Sequence, residues 1–235
     1  MESSIATVTV MAPSRLNLPI YVISLPSSPR RVTIAAELAR IGVEADEFRF
    51  WDGVLVPEDR DGFIESRFPN QPIANDLTHG TLGCLMSYID LCAHLASTGV
   101  PAALVLEDDV EFMGTRADFE AVDWDDLLRR YAAKEWVFLH WYSHLPNATQ
   151  AQIVTLAGAR RMTREAVSMI NRDAPIDIAL HCDRAFDSGD LMRDTGVALF
   201  NHLYDRNTSD KFIINQIRNG TTDDHRTKKR TLNLS

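Results

Sequence analysis

Three consecutive carboxylates, Glu107, Asp108 and Asp109, follow directly on the apolar run Ala102 to Leu106. A short continuous apolar run of this kind reads as a strand buried on both faces of a parallel sheet, and in open α/β sheets ligands bind outside the carboxyl ends of such strands. Side chains alternate along a strand, which predicts Glu107 and Asp109 on one side and Asp108 on the other. Carboxylate oxygens suit a hard cation. Mg2+ or Mn2+ takes one or two of them and leaves its other positions to water and substrate phosphates. The chain carries a formal net charge of −9, so an approaching diphosphate would be repelled by a few kcal/mol per close pair at an effective dielectric of about 20, and a divalent cation reverses that sign. An acidic strand end is also ordinary solvated loop in a chain this acidic. The cation reading requires that the three side chains face a cavity and are not locked in ion pairs with arginines.

Composition bounds the possibilities. At 235 residues, 45% hydrophobic and 24% charged, the chain has the make-up of one folded domain, which excludes a disordered, collagen-like or low-complexity protein. The acidic balance argues against a nucleic-acid partner, because phosphate backbones are held by clustered Lys and Arg. Cys84, Cys92 and Cys182 are odd in number and lack zinc-ligand spacing, so they read as reduced, mostly buried thiols. Residues 1–18 show no basic segment leading into an apolar signal core, and no run of about 18 apolar residues occurs, so a cytoplasmic protein without a membrane span is expected. The sequons at Asn147, Asn207 and Asn219 are then plain polar loop sequence.

The elements that must position the carboxylates follow from hydrophobic period and punctuation. Ile20 to Leu25 reads as a buried strand between Pro19 and the Pro26-Ser-Ser-Pro29 turn, and Ser28-Pro29 starts a helix with apolar positions Val32, Ala35, Leu38, Ala39 and Ile41 up to Gly42. Glu47 to Trp51 is a second strand closed by Asp52-Gly53, and residues 54–76 read as a long loop without a sustained period. Thr78 caps a helix whose inward positions run from Leu82 to Ala96 and which ends at Gly99. Further on, residues 117–133 read as one helix, Trp136 to Leu139 and Gln152 to Leu156 as strands, Gly158 to about Asn171 as a helix, and 197–200 as a strand. The fold class is α/β: a single domain over 19–217 with a mostly parallel central sheet flanked by helices, an N-terminal extension 1–18 and a polar, basic-ended tail 218–235.

The carboxylates do not stand alone. The chain resembles glycosyltransferase family 25, the lipooligosaccharide and collagen β-galactosyltransferase group, in ordered blocks over about residues 20–177. Its opening block, an apolar strand with Leu and a pair of arginines, resembles Ile23-Ser-Leu25 with Arg30-Arg31, and its Asp-Gly block resembles Trp51-Asp52-Gly53. The family's Leu-Thr-x-Gly-Glu-x-Gly-Cys-x-x-Ser-His helix start is similar to Leu77-Thr-His-Gly-Thr-Leu-Gly-Cys-Leu-Met-Ser-Tyr88, and its Leu-Glu-Asp-Asp is intact as Leu106 to Asp109. Thr149-Gln-Ala151, Gly158-Ala159-Arg160 and Pro175-Ile-Asp177 resemble later blocks. Two positions depart: Thr81 stands where the family has Glu, and Tyr88 where it has His. Thr81 removes only the reach-back half of a capping box, a change of about 1 kcal/mol or less. Tyr88 cannot supply a titrating imidazole.

The resemblance implies a GT-A-like domain and an inverting transfer of a hexose, most often galactose, from a UDP-sugar with Mn2+ or Mg2+, in lipooligosaccharide or surface-glycan synthesis. It makes Asp109 the main metal ligand, Asp108 a ligand or its supporting neighbour, and Glu107 a contact to the nucleotide ribose. Ile23 and Leu25 would border the base, Arg30 or Arg31 would meet phosphate near a helix N-terminus, and Asp52 and Ser87 would complete the donor site. Asp177 is the first candidate for the base that deprotonates the acceptor hydroxyl and Asp183 the second. His140 and His144 are weaker candidates for a further metal ligand, and Trp51, Trp136 and Trp141 for stacking on sugar or uracil. The acceptor is a saccharide or other hydroxyl, lipid-linked among the options. Membrane contact is at most peripheral, through Arg226, Lys228, Lys229 and Arg230. Two other readings stay open: a non-catalytic nucleotide-sugar-binding relative, and a metal-dependent nucleotidyltransferase or phosphohydrolase.

Overall fold

The structure is a computed structural model and describes residues 16, 18–73, 77–139, 150–171, 187–195 and 199–202. The first apolar run forms β1 (Ile20–Ser24), all of it buried, followed by α1 (Arg30–Arg40) and β2 (Phe48–Asp52). After α2 (Arg60–Arg67) and α3 (His79–Thr98) comes β3 (Ala102–Glu107), which turns directly into β4 (Val110–Phe112). The rest comprises α4 (Arg116–Glu120), α5 (Trp124–Arg130), β5 (Trp136–Phe138), β6 (Ala151–Thr155), α6 (Leu156–Arg164), α7 (Ala166–Asn171), β7 (Ser188–Asp190), α8 (Leu191–Thr195) and β8 (Phe200–His202).

The central sheet has six strands in the order β2-β1-β3-β6-β5-β7. The pairs β1–β2, β1–β3 and β5–β7 are parallel, while β6 runs antiparallel to both β3 and β5. The sheet is therefore mostly parallel and flanked by helices, as the sequence predicts. Reversal of β6 alone leaves the carboxyl ends of β1, β2, β3, β5 and β7 on one edge. That edge gathers Ser24, Asp52, Glu107 and Asp190.

Alternation along the strands divides the core into two layers. On one face Tyr21, Ile23, Val105 and Trp136 pack against Leu85, Tyr88 and Leu91 of α3 and Met162 of α6. On the other, Ile20, Val22, Leu104 and Leu106 pack against Ile34 and Leu38 of α1, Phe119 of α4 and Trp124 of α5, and Leu16 and Leu18 already belong to this layer ahead of β1. α3 is held at both ends as its sequence dictates. The Thr78 hydroxyl accepts from the Thr81 N–H at 3.2 Å and Gly99 closes the helix with φ of 69°. Thr81 replaces the family's Glu with a hydroxyl–hydroxyl contact to Thr78 of 2.9 Å, so the cap survives. Cys92 is buried on α3, and burial pushes its thiol pKa up.

Four expectations about elements are corrected. The loop expected at 54–76 contains α2. It is short and interrupted by Gly62, so its period is weak, but Asp59 caps it at Gly62 N (3.0 Å), and Arg67 pairs with Asp90 of α3 at 2.7 Å while lying over the Phe63 ring. The helix expected over 117–133 is two, because Asp123 recaps the chain at Asp126 N (2.7 Å) and starts α5. The helix expected from Gly158 begins at Leu156, capped by Thr155, and is interrupted at Glu165. The strand expected at 197–200 falls at Phe200–His202, paired with β4.

At the amino end of β1, the Tyr21 hydroxyl and His94 Nε2 share a 3.2 Å hydrogen bond, and the His94 ring lies 5.1 Å from that of Trp51. Burial first, and then the charge of Arg49, hold His94 below its ordinary pKa of 6.5. As pH falls, the unfolded chain therefore takes up this proton before the folded one, and stability is lost below about 6.5. His94→Gln is neutral throughout and removes this term. Thermal melts from pH 7.5 to 5.5 should shift progressively in the variant's favour relative to the parent. A difference independent of pH would show that His94 titrates alike in both states.

Candidate functional site

The acidic triplet sits where the sheet edge predicts, but it does not converge. β3 ends at Glu107, and Asp108 and Asp109 form the turn into β4. Glu107 points to the α3 side and accepts from the Tyr88 hydroxyl at 3.2 Å. Asp108 lies across the sheet, where its Oδ2 accepts from Ser24 Oγ at 2.6 Å and Ser28 Oγ at 2.9 Å. Asp109 joins Asp108 instead of returning to Glu107. Arg30 Nη1 stands 3.1 Å from Asp109 Oδ2 and 3.5 Å from Asp108 Oδ1. Alternation holds only while the strand lasts, and the strand stops one residue before it would have separated the two aspartates.

The turn is fixed from α1. Glu37 accepts from the Phe112 N–H at 2.8 Å and pairs with Arg40 at 2.6 Å, and Arg40 donates to the carbonyls of Phe112 (2.9 Å) and Gly114 (2.8 Å). The Glu37 hydrogen bond in turn raises the Arg40 pKa. β4 is thus clamped to the last turns of the helix whose first turn carries Arg30.

The other predicted donor residues divide by burial. Arg31 is turned away from the acidic turn: it donates to the Ser24 carbonyl at 2.8 Å, pairs with Asp52 at 2.5 Å and lies over the Phe50 ring. Arg30 alone of the pair reaches the carboxylates. Ile23 is 8% exposed and packed in the core, while Leu25 is 37% exposed at the strand end. Ser87 is buried, and its hydroxyl is committed, donating to the Gly83 carbonyl at 2.6 Å and accepting from Val54 N at 2.8 Å, which anchors the chain leaving β2. Trp51 packs against Tyr21 and His94, and Trp136 is fully buried. Asp177, Asp183, His140, His144, Trp141 and the basic tail lie outside the described residues.

Sequence reasoning missed Ser24 and Ser28 as the partners of Asp108. The parallel register that sets Ile23 beside Glu107 carries the signal for Ser24, since the next residues on each strand then face one another. It also missed Gln150, whose carbonyl accepts the Glu107 N–H at 2.8 Å and whose side-chain Oε1 is buried without a hydrogen-bond partner among the described residues. Asp190, 9% exposed at the end of β7, is a further carboxylate on this edge.

The donor set fits a hard divalent cation of the kind the sequence implies. Asp108 and Asp109 offer adjacent carboxylate oxygens, and among the described residues no group of three or more His, Cys, Asp or Glu gathers around a common point. Such a pair suits an ion that fills its remaining positions with water and substrate phosphate. The requirement that arginines leave the carboxylates alone is not met, because Arg30 pairs with both aspartates. The aspartate side chains are 13% and 14% exposed, but Arg30 is 50% exposed and reaches them from the solvent side. Cavities of about 390 and 300 Å3 open elsewhere: Ile20, Ile41 and Trp124 line one, Pro19, Ala102 and Leu127 the other, and none of the three acidic residues lines either.

The family model described as glycosyltransferase family 25 (LPS biosynthesis protein) matches residues 17–173. No curated protein matches the chain. Among solved structures, a glycosyltransferase involved in the glycosylation of the major capsid of PBCV-1 is 10% identical, with 88% of this chain and 98% of that chain aligned at a TM-score of 0.50, a likeness of fold. The glycosyltransferase GlyE of Streptococcus pneumoniae TIGR4 is 9% identical over 80% of this chain and 55% of that one, at a TM-score of 0.42. Among the described residues no helix is long and apolar enough to cross a membrane.

Proposed function

Because the chain belongs to glycosyltransferase family 25, we propose that its acidic turn binds the diphosphate end of a UDP-sugar and that the protein transfers the hexose, galactose first, to a saccharide hydroxyl with inversion. The observation that carries this reading is the placement of Asp108, Asp109 and Arg30 together where the carboxyl end of β3 meets the first turn of α1. Ser24 and Ser28 hold the Asp108 carboxylate in place, and Tyr88 holds Glu107 on the far side, toward the ribose. Tyr88 fits this scheme without an imidazole, because its hydroxyl supplies the same kind of donor to Glu107 that a neutral histidine N–H would. Asp109 and Asp108 are the residues that would hold Mn2+ or Mg2+. When bound, the ion would offset the charge gathering on the departing diphosphate.

The acceptor hydroxyl would attack the anomeric carbon on the face opposite UDP, through an oxocarbenium-like state, with its proton passing to Asp177 or, as second candidate, Asp183. The family description supports a role in lipopolysaccharide-type glycan synthesis, and a lipid-linked acceptor would bring the basic tail to an anionic membrane surface. The test is a thermal-shift screen of UDP-galactose, UDP-glucose and their N-acetylated forms with and without Mn2+. A donor at 100 times its Kd should stabilise the fold by about 2.7 kcal/mol, and only with the metal present. Absence of a shift across the panel in both conditions would defeat the proposal.

A further inference from the structure

Arg30 occupies the position a cation would take. Its guanidinium bridges the two aspartates that the proposed donor site assigns to the metal, at 3.1 and 3.5 Å. The two arginines at this helix start are not equivalent. Arg31 is locked by Asp52, the Ser24 carbonyl and the Phe50 ring, whereas Arg30 is half-exposed and its guanidinium hydrogen-bonds to Asp108 and Asp109. The carboxylates, in contrast, are pinned: Asp108 by two serine hydroxyls, and the turn itself by the Glu37–Arg40 clamp. A mostly buried pair of anions is therefore met from the solvent side by a half-exposed cation that offsets part of its charge. An ion pair whose cation stands half in water is weakly held, and a divalent ion can outcompete it.

We infer that Arg30 is an exchangeable counter-cation that couples metal to donor. The carboxylates trade the guanidinium for the divalent ion, and the released guanidinium, still at the first turn of α1, contacts the nucleotide diphosphate. The inference rests on the proposed donor site and adds a consequence that this reading lacks. Metal and nucleotide bind with positive coupling that runs through one side chain, and that coupling is reciprocal. Without nucleotide, Arg30 competes against the metal. With nucleotide, the freed arginine has an anion to meet, and the competition ends.

The test measures Mn2+ binding to the full chain by the paramagnetic resonance signal of free Mn2+, with and without UDP, and needs no turnover. In the parent protein UDP should tighten Mn2+ binding by about tenfold. In Arg30→Gln, Mn2+ alone should bind several-fold tighter than in the parent, and UDP should add little. Arg30→Lys, which keeps the charge but loses the planar fork, should fall between the two. Unchanged or weaker Mn2+ binding by Arg30→Gln would overturn the exchange. Asp109→Asn separates this failure from failure of the site. If it loses Mn2+ while Arg30→Gln binds as the parent does, the donor site stands and the exchange falls. If neither the parent nor Arg30→Gln takes up Mn2+ at millimolar concentration, both fall together.

Discussion

Asp109→Asn is expected to lower sugar transfer by about 10²-fold or more, comparable to removing one group that stabilises developing charge in other enzymes, while leaving the fold intact. The substitution keeps shape and hydrogen-bonding capacity and removes one negative charge. Its structural cost is small at the ion pair with Arg30, a half-exposed guanidinium that returns to water. Its functional cost is large, because the remaining aspartate would be the sole anionic ligand at this turn. The measurement is transfer from UDP-sugar to acceptor at saturating Mn2+, alongside the thermal midpoint. Turnover within about threefold of the parent would remove Asp109 from the machinery, since a true ligand is worth several kcal/mol.

The largest loss of stability is expected at Gly158. It lies in the first turn of α6, pressed against the start of β5, where an added Cβ would overlap the Glu135 carbonyl oxygen and sit 3.2 Å from the Trp136 ring. The first obstacle is backbone and the second is a fully buried indole, so neither yields cheaply. Gly158→Ala should cost about 3 kcal/mol, at the upper end for overpacking, and lower the melting midpoint by about 6–12 °C for a domain of this size. Gly80 provides the contrast: it lies in α3 with nothing within 4 Å of an added Cβ. Gly80→Ala should be neutral or stabilising by up to about 1 kcal/mol. Equal effects at the two positions would refute the packing argument. The Gly-Ala block that marked this segment in the sequence therefore has a steric origin, the approach of α6 to the sheet.

Much of the fold was legible because its signals are long or doubly marked. α3 carried twenty residues of helical period between a threonine cap and a left-handed glycine, and β3 was an apolar run ending in charge. The direction of β6 was not legible. An apolar strand reads the same either way, and its reversal follows from pairing with β3 and β5. At the site, the position of the acidic turn was readable but its internal geometry was not, since that depended on β3 ending at Glu107. Arg30 and Arg31 looked interchangeable in sequence. A helix rotates successive side chains by about 100°, which sends one toward β3 and the other toward β2. Ser28 read as a cap. Its oxygen does accept the Arg30 N–H at 3.2 Å, and its proton serves Asp108.

Glu107 is steadied by a helix on one face of the sheet and Asp108 by the start of a helix on the other. In the proposed donor site the grip on the nucleoside and the grip on the phosphates would thus be referenced to opposite layers, with the thickness of the sheet as the ruler between them. Repacking at Leu85 or Leu38, both buried in the core, would tilt one layer and reset that distance. Donor preference in this protein could then drift through its interior, with every residue that meets the sugar nucleotide left unchanged.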